Sequence, residues 1–370
     1  MKILLIHNTL PSYRVSLFNN LAKKDTVHAY FYAASLNQKV YGDTNRFNEL
    51  KNVTLIENFR SKENIKDLIR GEYSHIILPP LDDFKALLVS YFVLFLCNKK
   101  SKLCLFWEKW NVEFARMGIK KKLKNIFLHF AIGLLIKKKI DVFLCPCIKT
   151  RQYLLSLGVE SKRIKLVGDC SAIEAPLNFE ADKKIRDKYV SNDATVILYY
   201  GRIIHRKGLE ILINAFHRLE KEGKNVFLLV CGDGPQRKDF EKLAQTLNIT
   251  NIKFMGYIAP EERYKFFTAS DLFVLPSYYF DDVNEAWGLT VNEALAYGLP
   301  VIATDMVGSA HDLITPKNGI LIKENNTDEL YYAIKQAINT NYNKSEIVAS
   351  VEKYNPSAVS SNILNAMGNN

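Results

Sequence analysis

The sequence has few cysteines, and their spacing excludes the common metal and disulfide patterns. None of the six forms a Cys-x-x-Cys pair, and Cys145-Pro-Cys147 has no neighbouring His or Cys cluster that could complete a zinc site. Buried, reduced thiols are the expected state, which favours a reducing compartment. The 17 Gly and 11 Pro among 370 residues are too few for a collagenous or low-complexity chain.

Long apolar segments are also missing. The longest uncharged apolar runs, Ala86–Cys97 and Ile126–Ile136, have twelve and eleven residues, whereas a helix needs about 20 to cross a bilayer. The apolar run at the N-terminus is four residues long and predicts a first β-strand rather than a signal peptide. We therefore expect a cytoplasmic protein without a membrane span.

Positive charge is abundant and unevenly distributed. The 50 Lys and Arg against 39 Asp and Glu give a net charge of +11, and residues 1–200 alone carry +14. Residues 98–139 contain twelve basic side chains and only two acidic ones, Glu108 and Glu113. This excess predicts an anionic partner, and charge alone leaves nucleic acid, an anionic membrane leaflet and an acidic substrate open.

The basic region favours a membrane over nucleic acid. Its apolar run Ile126–Ile136 is bracketed by Lys120–Lys124 and Lys137–Lys139, the composition of a helix that lies in an anionic membrane interface. The alternative is a core helix with solvated lysines at its ends. No recognised nucleic-acid module or aromatic platform accompanies the lysines, so we expect no nucleic acid as partner. The predicted location is peripheral, on the inner face of the cell membrane.

Short apolar runs alternate with helical patterns, which predicts a doubly wound α/β protein with parallel sheets. The predicted strands form two groups, Lys2–Ile6, Val27–Tyr32, His75–Leu78, Leu103–Trp107 and Val142–Leu144, then Val196–Tyr200, Val226–Cys231, Ile252–Phe254, Leu272–Leu275, Val301–Ile302 and Gly319–Ile322. We expect domains at 1–175 and 185–350, a linker at about 168–193, and a C-terminal helix at about 352–370 that returns to the first domain. Such folds bind ligands at the carboxyl ends of their strands, here in a cleft between the domains.

The loop Gly201–Gly208 follows a predicted strand and opens a helix. Backbone N–H groups and the positive helix end would face a phosphate there, and Arg202 and Lys207 could converge on one diphosphate. The alternative is two solvated cations at a helix start. After the next strand, Gly232 allows close backbone approach to a ligand or simply a tight turn.

Glu285 and Glu293 flank a third strand-end segment, Glu285-Ala-Trp-Gly-Leu-Thr-Val-Asn-Glu293. The segment predicts a loop that enters a helix near Val291. It could bind a sugar through Glu285, a diphosphate through the amides of 288–290 and a ribose diol through Glu293. The alternative is that Glu293 only favours a helix N-terminus electrostatically.

These motifs together carry a family resemblance. Gly-Arg-x4-Lys-Gly at 201–208, Gly-Asp-Gly-Pro at 232–235, Asp271–Ser277 and Glu-x7-Glu at 285–293 occur in order within Tyr199–Ile322. They resemble the C-terminal lobe of retaining family 4 glycosyltransferases, whose GT-B fold consists of two Rossmann-like domains facing a cleft. The resemblance implies acceptor binding by the first domain and nucleotide-diphosphate-sugar binding by the second.

The resemblance also implies roles for individual residues. Arg202 and Lys207 would stabilise the leaving diphosphate, Glu293 would bind the ribose and Glu285 the sugar hydroxyls. The remaining implied donor contacts are Gly201, Gly232, Tyr257, Ile258, Gly288, Leu289 and Thr290. No cofactor or metal is implied, and Asp281-Asp282 lacks the Asp-x-Asp spacing of a metal site.

The first domain matches the family less closely. Many members have a Gly-Gly loop after the first strand, where this chain has Thr9–Arg14, and many present a His near the reacting carbon, where it has Glu108. Arg14 is a candidate phosphate or acceptor contact, the alternative being a surface arginine. Glu108 is the candidate for the polar role of the His.

We therefore expect a metal-independent, retaining hexosyltransferase. It would transfer sugar from a nucleotide-diphosphate sugar to a glycan or lipid-linked acceptor at the membrane, in bacterial surface polysaccharide or glycoconjugate biosynthesis. The alternatives are a non-catalytic nucleotide-sugar-binding module and another GT-B enzyme, such as a sugar-nucleotide epimerase. The sequence leaves the sugar, the base and the acceptor open.

Overall fold

The structure is a computed structural model, and it divides the chain into two compact units. Residues 1–173 and 354–370 form unit 1, and residues 174–353 form unit 2. The residues described are 1–34, 45–81, 83–110, 139–173, 183–190 and 193–368, together with 118–120, 122–123, 126–127, 130 and 133. The predicted domain limits, 1–175 and 185–350, lie close to these unit boundaries.

Unit 1 contains a seven-stranded sheet in which every described strand pair is parallel. Its strand order is β3-β2-β1-β4-β5-β6-β7. The strands are β1 Lys2–His7, β2 Thr26–Phe31, β3 Val53–Leu55, β4 His75–Leu78, β5 Lys102–Phe106, β6 Val142–Cys145 and β7 Ile164–Leu166. The two edge strands, β3 and β7, were not among the predicted strands.

Helices cover both faces of this sheet. The described helices of unit 1 are α1 Ser12–Ala22, α2 Lys62–Arg70, α3 Phe84–Leu96, α4 Ile148–Ser156 and, from the C-terminus, α13 Pro356–Met367. Because successive strand residues point to opposite faces, Leu4 of β1 packs on the side of α3, while Ile3 packs on the side of α1 and α13. The C-terminal helix thus belongs to the core of unit 1.

Unit 2 repeats this architecture with six parallel strands in the order β10-β9-β8-β11-β12-β13. The strands are β8 Thr195–Tyr200, β9 Val226–Cys231, β10 Ile252–Gly256, β11 Leu272–Leu275, β12 Val301–Thr304 and β13 Gly319–Ile322. The helices are α5 Lys183–Tyr189, α6 Leu209–Lys221, α7 Arg237–Thr246, α8 Arg263–Thr268, α9 Leu289–Ala296, α10 Ala310–Leu313, α11 Thr327–Ile338 and α12 Lys344–Val351. Five short 3-10 turns are also described: Asn45–Glu49, Ser161–Arg163, His205–Lys207, Pro260–Glu262 and Glu352–Tyr354.

The strand orders locate the places where ligands can bind. In each sheet the order reverses beside the first strand, between β1 and β4 in unit 1 and between β8 and β11 in unit 2. Loops that leave neighbouring strands at such a point run to opposite faces of the sheet, and this separation leaves a crevice at the carboxyl ends of the strands. The loops after β8 and β11 carry Lys207 and Glu285, so these two predicted donor residues lie at the reversal point of unit 2.

Two sequence expectations about the whole chain can be compared with the structure. All six cysteines are free, and all except Cys97 are buried, in agreement with the expected thiols. Among the helices described, none combines the length and the apolarity needed to cross a bilayer.

Candidate functional site

The loop after β8 is held against the loop after β11 by backbone contacts. The N–H of Tyr278 donates to the carbonyl of Arg206 at 2.9 Å. Gly208 has a φ of +70°, and a Cβ at this position would lie 1.9 Å from the carbonyl oxygen of Pro276. Only glycine can occupy such a position without displacing the backbone, so Gly208 allows the two strand ends to meet.

This approach brings two cations onto one carboxylate. Lys207 Nζ and Arg206 Nη1 each lie 2.6 Å from Glu285 Oε2. Arg206 Nη1 also donates to the carbonyl of Asn284 at 3.3 Å. We call Arg206, Lys207 and Glu285 the donor-site cluster. The sequence predicts that Lys207 acts together with Arg202, and it assigns no role to Arg206. The position of Arg206 directly before Lys207 in the same loop could have indicated a second cation at this site.

The two cations keep Glu285 ionised inside the protein. Burial alone would raise the pKa of Glu285, but Lys207 and Arg206 outweigh it and hold that pKa below its ordinary value. A buried carboxylate needs such partners to remain charged. The cluster carries a net charge of +1, so it attracts an anion while also offering carboxylate oxygens to hydroxyl groups.

A helix begins directly beside this cluster. Helix α9 starts at Leu289, two residues earlier than the predicted start near Val291, and its N-cap Gly288 provides no side-chain cap. The first N–H groups of a helix attract anions. Thr290 Oγ1 is buried and has no hydrogen-bond partner among the described residues. Backbone and side-chain donors at 288–290 are therefore suited to a phosphate or a hydroxyl group.

Glu293, the predicted ribose contact, lies on α9 and is paired with a residue that the sequence did not single out. Arg263 Nη1 lies 2.5 Å from Glu293 Oε1. Burial raises the pKa of Glu293, and Arg263 opposes that shift. Ribose hydroxyls would thus meet a carboxylate that is already oriented by a guanidinium group.

The other predicted donor residues lie at the same strand ends of unit 2. Arg202 and Tyr257 have exposed side chains, and Ile258 is half-buried. The backbones of Gly201 and Gly232 approach each other closely. A Cβ on Gly232 would lie only 1.8 Å from the carbonyl oxygen of Gly201. The structure therefore leaves Arg202 available to a ligand, whereas Lys207 is engaged by Glu285.

In unit 1 the structure contradicts the alternative that Arg14 is a surface arginine. Arg14 is only 3% exposed, and its Nη1 and Nη2 lie 2.8 Å from Asp169 Oδ1 and 2.7 Å from Glu108 Oε1. Arg14 is therefore not a surface arginine. Its guanidinium group is already paired with two carboxylates and holds Glu108 in place.

Asp169 and His7 complete this first-unit cluster. Asp169 falls in the predicted linker but is buried in unit 1. Burial lowers the pKa of Arg14, whereas the carboxylates of Asp169 and Glu108 raise it above its ordinary value. Burial and the charge of Arg14 lower the pKa of His7 to about 3, so His7 is neutral. Glu108, which is 25% exposed, is the accessible carboxylate of the cluster.

The basic segment, which we define as residues 118–139, is only partly described. Lys120, Lys122 and Lys139 are exposed, whereas Lys121, Lys124, Lys137 and Lys138 lie outside the described residues. Among the described parts of the chain, no group of three or more His, Cys, Asp or Glu residues could hold a metal ion.

Replacing Glu285 with Gln should change how the stability of unit 2 depends on pH. Because the folded-state pKa of Glu285 is lowered from its ordinary value near 4.5, its contribution is present above that value and is lost as the pH falls through the lowered pKa. The free energy of unfolding of the wild type should therefore approach that of Glu285→Gln on acidification. Denaturant titrations between about pH 7 and pH 3 measure this, with the exposed Glu210→Gln as control. A difference that does not change with pH would contradict the account.

Replacing Asp169 with Asn should destabilise unit 1 strongly. The substitution keeps an oxygen for the N–H of Cys170, which donates to Asp169 Oδ1 at 2.8 Å, but it removes a charge from a buried ion pair, which costs about 3–5 kcal/mol. The double variant Arg14→Met with Asp169→Leu should lose less, because both charges of the buried pair are removed together. Chemical denaturation measures both, and equal stability of wild type and Asp169→Asn would refute the assignment.

Comparison with known proteins bears on the family of this site. Residues 181–354 match the family model for glycosyl transferases group 1. The alpha-monoglucosyldiacylglycerol synthase of Streptococcus pneumoniae is 33% identical over 193 residues, which cover 51% of this chain and 41% of that protein. An uncharacterized glycosyltransferase of Methanocaldococcus jannaschii is 28% identical over 231 residues, or 61% and 57% of the two chains. The chain thus spans about half the length of the curated relatives that it matches.

Solved structures match over nearly the whole chain. The lipopolysaccharide outer core galactosyltransferase WaaB, in its apo form, superposes with a TM-score of 0.70 at 16% identity, covering 99% of each chain. HepE of Anabaena in complex with UDP gives a TM-score of 0.70 at 17% identity, again over 99% of each chain. At such identities the likeness concerns the fold. This chain has the GT-B fold, and residues 181–354, which make up most of its second unit, are similar to the glycosyl transferases group 1.

Proposed function

We propose that this protein is a retaining, metal-independent hexosyltransferase of glycosyltransferase family 4. It transfers a hexose from a nucleotide-diphosphate sugar to a glycan or lipid-linked acceptor in the biosynthesis of a bacterial surface polysaccharide or glycoconjugate. The observation that carries the proposal is the donor-site cluster, in which Lys207 and Arg206 hold an ionised Glu285 beside the uncapped start of α9.

The chemistry needs cations where negative charge develops. In the proposed reaction the bond between the anomeric carbon and the diphosphate oxygen breaks while the acceptor oxygen bonds to the same face of that carbon. The acceptor proton passes to the leaving phosphate. The charge that grows on the diphosphate is stabilised by Arg202, Lys207 and the N–H groups at the start of α9. These groups take the place that a divalent cation would have, so the proposed reaction requires no metal.

Arg206 gives the cluster a second function in this proposal. Lys207 cannot turn to a diphosphate without weakening its ion pair with Glu285, and a buried carboxylate left alone is costly. Arg206 keeps Glu285 charged and oriented while Lys207 binds the donor. Glu285 then accepts hydrogen bonds from sugar hydroxyls, and Glu293 with Arg263 receives the ribose. UDP complexes of the structural relative HepE support a nucleotide sugar as donor.

The acceptor side of the proposal rests on unit 1. Glu108 follows β5 at the carboxyl edge of the sheet and is held by Arg14, which Asp169 fixes in turn. A carboxylate oriented in this way can accept a hydrogen bond from a hydroxyl group of the sugar or the acceptor. We assign Glu108 this polar role and Arg14 a positioning role.

A membrane location is the remaining part of the proposal. The names of two relatives, a glucosyldiacylglycerol synthase and a capsular polysaccharide glycosyltransferase, point to lipid-linked or surface glycans as products of those proteins. In this chain the exposed Lys120 and Lys122 stand beside exposed Ile119 and Leu123. We propose that the basic segment holds the enzyme on the inner, anionic leaflet of the cell membrane.

Glu285→Gln should abolish most of the transfer while leaving the protein folded. Purified protein is incubated with a panel of nucleotide sugars and lipid-linked acceptors, and release of nucleoside diphosphate is measured. Loss of one charged contact to the reacting sugar should lower kcat by about 10² to 10³, and Glu210→Gln should match the wild type. Absence of nucleotide release with every donor, or full activity of Glu285→Gln, would refute the proposal.

Neutralising the basic segment should weaken binding to anionic vesicles. Each lysine near an anionic leaflet contributes about 1 kcal/mol, so changing Lys120, Lys121, Lys122 and Lys124 to Gln should reduce the affinity at least tenfold. The matched control changes four exposed lysines of unit 2, Lys221, Lys238, Lys242 and Lys317. Vesicle flotation at low and high salt measures the effect. Equal flotation of the two variants would contradict specific binding through the basic segment.

A further inference from the structure

Helix α3 exposes a continuous apolar stripe. Phe84, Leu88, Tyr91 and Phe95 follow one another at intervals of four, three and four residues, and they are 61%, 52%, 37% and 87% exposed. At 100° per residue these positions fall within an arc of about 60° on one side of the helix. We call these four side chains the α3 stripe.

The rest of α3 already packs against the core of unit 1. Ala86, Leu87, Ser90, Val93 and Leu94 are buried. Lys85 is the only charged residue in the helix. A surface helix of a water-soluble domain ordinarily places polar residues opposite its buried face, and a helix that is apolar all round needs apolar surroundings on both sides. The α3 stripe is therefore a surface adapted to an apolar medium.

Basic side chains lie near both ends of α3. Lys85 lies on the helix, Lys99 and Lys100 follow its end, and Lys139 Nζ donates to the carbonyl of Leu94 at 3.2 Å. Arg60 lies over the ring of Phe92, with its Cζ 5.9 Å from the ring centroid. The carboxylate of Asp83 caps the first turn through the N–H of Ala86. An exposed apolar stripe with positive charges near both ends of its helix matches the acyl and phosphate layers of an anionic leaflet.

A second helical stretch has the same pattern in its described residues. Ile119, Leu123, Ile126, Phe127 and Phe130 are exposed, and the helical period of 100° per residue places all five on one side. Lys120 and Lys122 fall on opposite flanks of that side.

We propose that the α3 stripe enters the boundary between headgroups and acyl chains of an anionic membrane. This inference extends the membrane partner of the proposed function from electrostatic attraction by the basic segment to apolar insertion by a different helix. Insertion fixes one side of unit 1 against the bilayer surface, with Phe95 as its most exposed residue. Aromatic side chains are favourable at this depth of a bilayer.

The test uses an indole placed in the stripe. The native Trp107, Trp110 and Trp287 are 3%, 3% and 4% exposed, so Phe95→Trp adds a reporter in a different environment. In full-length protein mixed with vesicles of phosphatidylcholine and phosphatidylglycerol, brominated acyl chains should quench the added fluorescence but leave the wild-type emission almost unchanged. Leu88→Gln with Phe95→Ser should weaken vesicle binding at least tenfold, and part of the wild-type binding should persist at high salt.

The matched control removes a leucine and an aromatic residue that are exposed in unit 2, Leu321→Gln with Tyr332→Ser, and should bind vesicles like the wild type. An unquenched indole, or wild-type binding by the stripe variant, would overturn the inference while the test of the basic segment still stands. A lipid-free dimer of the wild type that the stripe variant dissociates, with unchanged vesicle binding, would assign the stripe to a second copy and overturn it too. Nucleotide release without lipid acceptor tests the donor site separately.

Discussion

The ion pairs of Glu285 with Lys207 and Arg206 connect the two loops that form the proposed donor site of unit 2. One loop leaves β8 and the other leaves β11, the two neighbouring strands beside which the sheet order reverses. Gly208 lets their backbones touch, and the ion pairs hold their side chains at the same place. A single constraint therefore places a carboxylate, two cations and the start of α9 together.

Unit 1 also holds a carboxylate in place by ion pairs, but its cluster has the opposite net charge. There one buried guanidinium group serves two carboxylates, so the cluster of Arg14, Asp169 and Glu108 carries a net charge of −1. A buried ion pair contributes little net stability compared with apolar packing, but breaking it is costly. Its effect is to fix Glu108 at the carboxyl edge of the sheet, where a freely rotating glutamate would lose side-chain entropy on binding a hydroxyl group.

Much of this architecture could be predicted from the sequence. The central strands are buried on both faces, so each leaves an uninterrupted apolar run, and all eleven predicted strands lie within or close to observed ones. The edge strands β3 and β7 have three residues each and are largely exposed, and they leave no such run. The predicted start of α9 is two residues late. The helix is capped by Gly288, whose backbone has a φ of +90°, and a cap without a side chain leaves no signal in the pattern of side chains.

The pairings within the sites were harder to predict than the residues. The local motif identified Lys207, Glu285 and Glu293, but which cation meets which carboxylate depends on how loops distant in sequence meet. Arg206 and Arg263 were missed for this reason, and Asp169 was assigned to a linker because its partner lies 155 positions away. The basic segment could be predicted by counting charges along the sequence. The α3 stripe could not, because the sequence does not show which side of that apolar helix is buried.

The proposed reaction depends on the binding of a diphosphate by the donor-site cluster. The most direct measurement is a calorimetric titration of nucleoside diphosphates into the wild type and Lys207→Met, with a metal chelator present. The account predicts saturable binding of at least one nucleoside diphosphate to the wild type and at least tenfold weaker binding to the variant. Equal affinity of the two proteins, or no binding of any nucleoside diphosphate to the wild type, would contradict it.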